Sequence, residues 1–352
     1  MRLAIDAMGG DDAPRAMVQG AIDYARAHSA HTVILVGRTA DIRRALDAEE
    51  SVPANIAVHE APQVIGMADK IEALREKPDD SMNIAARLVK EGGADAMVLC
   101  GNTGCSVAAA QLHLRRIPGV KRAGILTPLP NPKGHTWVCD CGANAVGKAE
   151  HLVQFALMTS DFLKASFGMA APRVGVLSIG EEDGKGTELV SETLELVRRT
   201  DLNVVGLVEG HDIYTGDIDV VVCDGFTGNI VLKTSEGVAT GIATIIKEEV
   251  GRRGLLAKVG ALLMKPVFLG LKRRVGWQYV GGCPLLGVDG VCIIGHGRSD
   301  RVAVFHALAQ AARCVDGRMV QRLRERFRTT GDESARAAAI AAPSACATAP
   351  AV

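Results

Sequence analysis

Cys223-Asp224-Gly225-Phe226-Thr227-Gly228-Asn229 joins a β-branched run at residues 219–223 to a long helical pattern at residues 229–250. A short apolar run, a small-residue turn and a helix read as a β-α unit whose strand ends where the glycines begin. Three other junctions share that composition: Ile5-Asp6-Ala7-Met8-Gly9-Gly10-Asp11, Leu99-Cys100-Gly101-Asn102-Thr103-Gly104 and Asp140-Cys141-Gly142-Ala143-Asn144. Glycine lets the backbone turn sharply and approach a ligand closely, and exposed amides there favour anions. In an open α/β sheet, ligands gather outside the carboxyl ends of the strands. Four such turns point to a crevice built for a phosphorylated or anionic group.

The same alternation runs through the chain. Short β-branched runs lie at residues 3–5, 32–36, 56–59, 96–99, 123–126, 136–139, 173–178, 203–208 and 219–223, with a late pair near 279–280 and 290–294. Helical patterns fall at 13–28, 39–46, 81–91, 149–167, 187–200 and 229–250. Alternating β and α elements predict a mostly parallel sheet covered on both faces. Ser81, Asn229 and Asp11 are the expected N-caps of the helices that follow them. No internal repeat of fixed period occurs.

Composition narrows the function classes. With 352 residues, 48% of them hydrophobic, the chain has ample material for a core. Lys plus Arg and Asp plus Glu both number 40, so there is no basic excess for nucleic acid, and 3% aromatics argues against base-stacking platforms. The chain opens directly into a strand, with no secretory h-region, and its nine cysteines read as reduced cytoplasmic thiols. No run of about 18 apolar residues is present to span a membrane. From about Thr329 the sequence turns Ala-rich and reads as a disordered tail.

Residues 254–275 break the pattern: they are apolar with interspersed cations, no acids, and Pro266 in the middle. A helix–bend–helix with an apolar tip is expected. Lys258, Lys265, Lys272, Arg273 and Arg274 suit such a tip to an anionic membrane surface, and a dimer interface or ordinary core explains the apolar residues equally.

Several motifs fall short of their usual chemistry. Gly142-Ala-Asn-Ala-Val-Gly147-Lys148 has P-loop spacing, but Ala149 stands where a hydroxyl must hold magnesium. Gly180-Glu-Glu-Asp-Gly184-Lys185-Gly186 matches less well, and no GxGxxG follows a strand. Both lysines can still sit beside an anion. Cys100, Cys105, Cys139 and Cys141 lack paired CxxC knuckles, so they read as small core residues rather than zinc ligands. His296, between Gly295 and Gly297, suits either a site or a structural bond to a neighbouring loop.

Taken in order, these motifs resemble one family, the bacterial phosphate acyltransferases (PlsX), over roughly residues 1–315. The resemblance rests on Ile5–Asp11 with Ala13-Pro14, Gly101-Asn-Thr-Gly104, Asp140 with Gly142-Ala-Asn144 and Lys148, and Ile179-Gly-Glu181 with Lys185-Gly186. Asp224-Gly-Phe-Thr-Gly-Asn-Ile230, Leu232-Lys-Thr234, Glu236-Gly237, Pro284-Leu-Leu-Gly287 and His296-Gly297 continue it. Cys100, Cys105 and Cys141 depart from the family's usual small or aliphatic residues. The resemblance implies a Rossmann-like three-layer α/β/α sandwich, mostly parallel, similar to phosphotransacetylases and isopropylmalate-type dehydrogenases. It implies one catalytic domain at 1–328, a protruding helical segment at about 235–276, and a tail at 329–352.

The implied reaction moves a long-chain acyl group from acyl-acyl-carrier protein to inorganic phosphate, with no cofactor or metal. The acyl phosphate would pass to a membrane glycerol-3-phosphate acyltransferase, the enzyme being a homodimer in peripheral contact with the inner membrane face. Lys185, Asn229, His296 and Asp6 are the catalytic candidates. Gly9, Gly10, Asn102, Thr103, Asn144, Lys148, Glu181 and Lys233 are candidates for holding phosphate or the thioester. Arg252, Arg253, Leu263, Phe268, Lys272, Arg273 and Arg274 are candidates for membrane or carrier contact. Three alternatives stay open: an acyl-coenzyme A phosphotransacylase, a decarboxylating dehydrogenase of related fold, and a non-catalytic membrane-associated scaffold.

Overall fold

The structure is a computed structural model and describes residues 1–182 and 184–328; the expected tail at 329–352 lies outside them. Its strands are β1 (Arg2–Asp6), β2 (Thr32–Gly37), β3 (Ile56–Glu60), β4 (Ala96–Leu99), β5 (Gly124–Ile125) and β6 (Thr127–Asn131). They continue with β7 (Gly134–Cys139), β8 (Arg173–Leu177), β9 (Asn203–Val208), β10 (Val220–Val222), β11 (Gly282–Leu286) and β12 (Val291–Gly295). The helices are α1 (Arg15–Ala27), α2 (Thr39–Asp47), α3 (Ala73–Glu76), α4 (Ser81–Lys90), α5 (Thr103–His113) and α6 (Ala149–Phe167). Then follow α7 (Glu188–Val197), α8 (Gly225–Arg252), α9 (Gly254–Leu263), α10 (Lys265–Val275), α11 (Trp277–Val280) and α12 (Arg301–Asp316).

The strands form two sheets where the alternation alone suggested one. The first has seven, ordered β3-β2-β1-β4-β12-β11-β5, parallel from β3 to β12 and antiparallel at β11 and β5. The second has five, ordered β6-β7-β10-β8-β9, parallel except for β6. Residues 123–126, expected as one strand, are divided. Gly124 and Ile125 pair in the first sheet, and the chain then crosses to begin β6 of the second.

Side-chain alternation sets the layers. Leu3 and Ile5 of β1 pack with Met17 of α1 and Leu308 of α12, whereas Ala4 packs with Met82 and Ala85 of α4 on the opposite face. In the second sheet Val220 and Val222 join the first cluster, together with Phe155 and Phe162 of α6, and Val221 turns to the other. This is the α/β, mostly parallel, helix-covered architecture the sequence predicted.

Several boundaries differ from expectation. Asp80, not Ser81, caps α4, accepting the amides of Met82 and Asn83. Asp224, not Asn229, caps α8, accepting from Thr227, so Asn229 lies in the second turn. Asp11 caps nothing, because α1 begins at Arg15 behind Pro14 without a side-chain cap. Tyr279 and Val280 are helical in α11, and the strand starts only after Gly281, at φ +80°.

α8 runs for 28 residues, and beyond its first turns it stands away from both sheets. α9 and α10 follow, bent by 61° around Met264, with Pro266 in the first turn of α10 and no buried residue in either helix. No single helix among the described residues is long and apolar enough to cross a membrane; the bent pair passes that test only jointly.

Candidate active site

The chain extends the first sheet from β1 outward to β2 and β3, then returns to place β4 on the other side of β1. The turns after β1 and β4 therefore emerge side by side at a switch point, the place where open α/β sheets hold their ligand crevice. The turn after β12 lies beside them. Gly10, at φ +98°, fits between the two: a Cβ there would stand 2.9 Å from Gly297 O and 3.2 Å from Cys100 O. Asp11 N–H donates to Gly297 O at 2.8 Å, joining the β1 and β12 turns.

Asp6 ends β1 wholly buried, with Oδ1 accepting from Met8 N–H at 2.9 Å and Oδ2 against the Gly9 backbone. Burial raises its carboxyl pKa, and the Met8 amide opposes this. Its place beneath the turn makes it a shaper of the Gly9–Gly10 backbone. Asn102 caps α5 by accepting from Cys105 N–H at 3.1 Å, and its two amide hydrogens go to Met67 O and Asp69 O, both at 2.9 Å. Thr103 beside it is exposed.

The second sheet contributes turns after β7, β10 and β8, three neighbouring parallel strands. Asp140 knots the first of these. Its Oδ1 accepts the amides of Ile125, Gly142 and Ala143, while Oδ2 accepts both the main-chain and side-chain nitrogens of Asn144. Asn144 gives its other hydrogen to Ala123 O at 2.6 Å. The start of α8 presses onto this knot: a Cβ on Gly228 would lie 2.0 Å from Asp140 O, so only glycine fits. Asn229 follows, exposed, its side chain next to Gly142 and without a hydrogen bond among the described residues. Lys148, at the start of α6, is exposed, as are Glu181 and Lys185 in the loop after β8; neither lysine has an ion pair among the described residues.

One turn beyond Asn229 on α8, Lys233 reaches across to the first sheet. Its Nζ lies 3.0 Å from Glu236 Oε2 and 3.4 Å from Nε2 of His296, which follows β12. His296 Nδ1 accepts from Arg298 N–H at 3.1 Å, and the ring lies 5.3 Å from Trp277. Burial, then the Lys233 charge, lowers the ring's pKa and keeps it neutral at pH 7.

Asp6, Gly9, Gly10, Asn102 and His296 thus share the crevice of the first sheet, and Asn229 and Lys233 lead into it along α8. Asn144 is tied into the knot behind Asn229. Among the described residues no hydrogen bond or ion pair links Lys148, Glu181 or Lys185 to these groups; they line neighbouring turns at the surface. Asp140, Glu236 and Trp277 were outside the candidate set read from the sequence. Asp140 and Glu236 nevertheless lie in motifs that the sequence offered, Asp140 at a strand end and Glu236 three residues after Lys233 on the helix face that bears Asn229, whereas Trp277 carried no such signal.

The thiols around the crevice are poor nucleophiles. Burial pushes Cys100 up to about 12 and Cys283 to about 11 and raises Cys141 further, so all three stay protonated at neutral pH. Cys100, Cys105, Cys139 and Cys141 are all buried core residues. Among the described residues no three His, Cys, Asp or Glu side chains gather as metal ligands. Amide hydrogens, an ammonium, an imidazole N–H and a carboxamide suit the binding of an anion and stabilisation of developing negative charge.

Far from the crevice, α8 to α10 expose Leu255, Leu256, Leu262, Leu263 and Val267 among cations. An apolar groove of about 460 Å³ lies between Val250, Leu262, Phe268 and Leu269, bordered by Lys258, Lys265 and Lys272. Arg252 and Arg253 pair with acids of the same helix, and Arg274 donates to Asn131 O and Pro132 O, tying the base of α10 to β6. Arg273 is exposed on the last turn of α10.

Known proteins resemble this chain in sequence and in fold. The family model described as fatty acid synthesis protein matches residues 1–322. The phosphate acyltransferase of Myxococcus xanthus (strain DK1622) is 47% identical over 321 residues, covering 90% of this chain and 91% of that protein. That of Trichlorobacter lovleyi is 43% identical over 328 residues, covering 93% and 94%. Among solved structures, a phosphotransacetylase from Streptococcus pyogenes superposes with a TM-score of 0.60 at 17% identity, covering 91% of this chain and 94% of the other. A 4-hydroxythreonine-4-phosphate dehydrogenase from Klebsiella pneumoniae gives 0.55 at 14%, covering 90% and 99%. These likenesses show the fold, whereas the close relatives show the lineage: the chain is an acyltransferase belonging to the phosphate acyltransferase (fatty acid synthesis protein) family.

Proposed function

We propose that the enzyme transfers a long-chain fatty acyl group from acyl-acyl-carrier protein to inorganic phosphate, giving acyl phosphate for phospholipid synthesis. The observation that carries this reading is the crevice itself, where glycine turns, Asn229, Lys233 and His296 offer donors and positive charge without a reactive thiol. Phosphate is itself the nucleophile and is largely ionised at neutral pH, so orientation matters more than a strong base. A phosphate oxygen attacks the thioester carbonyl carbon, the carbonyl oxygen becomes an oxyanion, and the carbon–sulfur bond breaks. Hydrogen phosphate and thioester give acyl phosphate and free thiol, the phosphate's proton ending on sulfur. Backbone amides of Gly9, Gly10 and Gly101 hold phosphate, with Lys148 and Lys185 drawing it in from the neighbouring turns. Asn229 donates to the oxyanion. Asp6, Asn102 and Asn144 hold the turns in shape, with Thr103 and Glu181 at the rim.

Residues 1–328 act as one catalytic unit, supported by a hydrophobic cluster drawn from both sheets. The exposed apolar and basic surface of α8–α10 supports homodimerisation and a peripheral seat on the inner membrane face. There the acidic carrier protein meets Arg252, Arg253, Lys272, Arg273 and Arg274, beside Leu263 and Phe268. The product passes to a membrane acyltransferase that uses glycerol 3-phosphate. The test mixes purified protein with palmitoyl-acyl-carrier protein, with and without phosphate, trapping acyl phosphate with hydroxylamine. Phosphate-dependent hydroxamate with release of carrier thiol is expected. Equal or greater product from palmitoyl-coenzyme A would move the reading to a coenzyme A-dependent phosphotransacylase, and none from either donor would reject acyl transfer to phosphate.

A further inference from the structure

Lys233 on α8 and His296 in the turn after β12 reach each other and bring only hydrogens to the meeting. His296 Nδ1 is occupied by the Arg298 amide at 3.1 Å, so the neutral ring carries its proton on Nε2. That atom faces Lys233 Nζ at 3.4 Å. An ammonium has three donors and no acceptor, and one of its hydrogens is taken by Glu236 Oε2 at 3.0 Å. Two hydrogen-bearing nitrogens therefore converge with no lone pair between them. An anionic oxygen that accepts from both would complete their geometry.

We propose that Lys233 Nζ and His296 Nε2 form a two-donor clamp on a single substrate oxygen, with Glu236 as its positioning residue. The inference rests on the acyl-transfer reading above and deepens it by assigning His296 as a fixed hydrogen-bond donor, not a proton carrier. The oxygen is negatively charged, either on phosphate or on the thioester carbonyl as the oxyanion forms. The charged and titratable groups facing the imidazole are Lys233 and Glu236 on α8, Arg298 in its own turn, and Asp11 from the β1 turn. The Trp277 ring covers one side.

The test is a steady-state comparison of His296→Gln, His296→Ala, Lys233→Met and Lys233→Met/His296→Ala in the hydroxamate assay. Thermal melts would check that each variant is folded. Gln keeps an N–H near the Nε2 position but does not titrate. His296→Gln is expected within about tenfold of the parent rate and with the parent's pH profile, because the ring donates through Nε2 in both of its protonation states. His296→Ala and Lys233→Met are each expected to lose on the order of 10²–10³. The double variant is expected to be little worse than either single, because both donors serve one oxygen. A raised KM for phosphate at constant kcat would place the oxygen on phosphate, and a fall in kcat would place it on the oxyanion. Glu236→Gln should slow the parent but not the Lys233→Met variant, whereas a merely structural residue would weaken both.

His296→Gln as inactive as His296→Ala would make the ring a proton carrier and overturn the clamp, as would multiplicative losses in the double variant. If His296→Ala does not fold, His296→Gln and Lys233→Met decide alone. A parent enzyme that forms no hydroxamate would instead reject the acyl-transfer reading. The clamp is then tested by thermal stabilisation with inorganic phosphate, which the parent should show and Lys233→Met should lose; equal stabilisation of both would overturn it.

Discussion

Asn102 and Asn229 look alike in sequence, each closing a strand–glycine turn, yet only Asn229 has amide hydrogens to give. Asn102 caps a helix and ties down the carbonyls of residues 67 and 69, whereas the Asn229 carboxamide is open next to Gly142. Their alanine variants should therefore fail differently. Asn102→Ala should cost about 1 kcal/mol or more of stability through the lost cap, read from urea midpoints. Asn229→Ala should leave the melting temperature nearly unchanged and lower kcat on the order of 10²–10³. The glycine turns could be read from the sequence because their chemistry is local. Which asparagines stay open could not, since the carbonyls that occupy Asn102 lie 35 and 33 residues away. The pairing of Lys233 with His296, 63 residues apart, was hidden for the same reason.

Among the elements, β6 shows where pattern reading stops. Thr127-Pro-Leu-Pro-Asn131 carries two prolines, which argue against a strand, but as the antiparallel edge of its sheet it tolerates them. Helix α4 offers a sharper test. Its cap, Asp80, is buried, and burial, reinforced by the nearby Asp6 charge, raises its pKa to about 6. The folded state thus holds this proton more tightly than the unfolded chain, whose carboxyl titrates near its ordinary value of 3.8. Asp80 therefore contributes more stability at pH 4 than at pH 7, the contribution falling as pH rises through 4 to 6. The stability gap between the parent and Asp80→Ala should widen on acidification from pH 7 to 4, measured by urea unfolding at each pH. A gap independent of pH would mean that the carboxyl titrates normally in the folded protein.

At the scale of the whole molecule, sequence alternation was enough for the parallel α/β class but not for the division into two sheets. Nothing local tells residues 123–126 that Gly124 and Ile125 belong to one sheet and the next strand to the other; competing tertiary pairings decide it. The same scale holds the apolar helices α9 and α10. Because Leu255, Leu256 and Leu262 are largely exposed, changing all three to Ser should shift folding stability by no more than about 0.5 kcal/mol per site. Co-sedimentation with phosphatidylglycerol vesicles should fall sharply. Unchanged sedimentation would remove the membrane assignment from this segment.

Gly228, pressed against the Asp140 carbonyl, makes the start of α8 a fulcrum and the rest of the helix a lever arm. At 1.5 Å of rise per residue, a tilt of about 5° swings the far end at Arg252 by about 3 Å but moves the Lys233 backbone by only about 0.7 Å. Whatever tugs on the outer arm is geared down before it arrives at the reacting groups. By this leverage the outer end can swing several times farther than the crevice end.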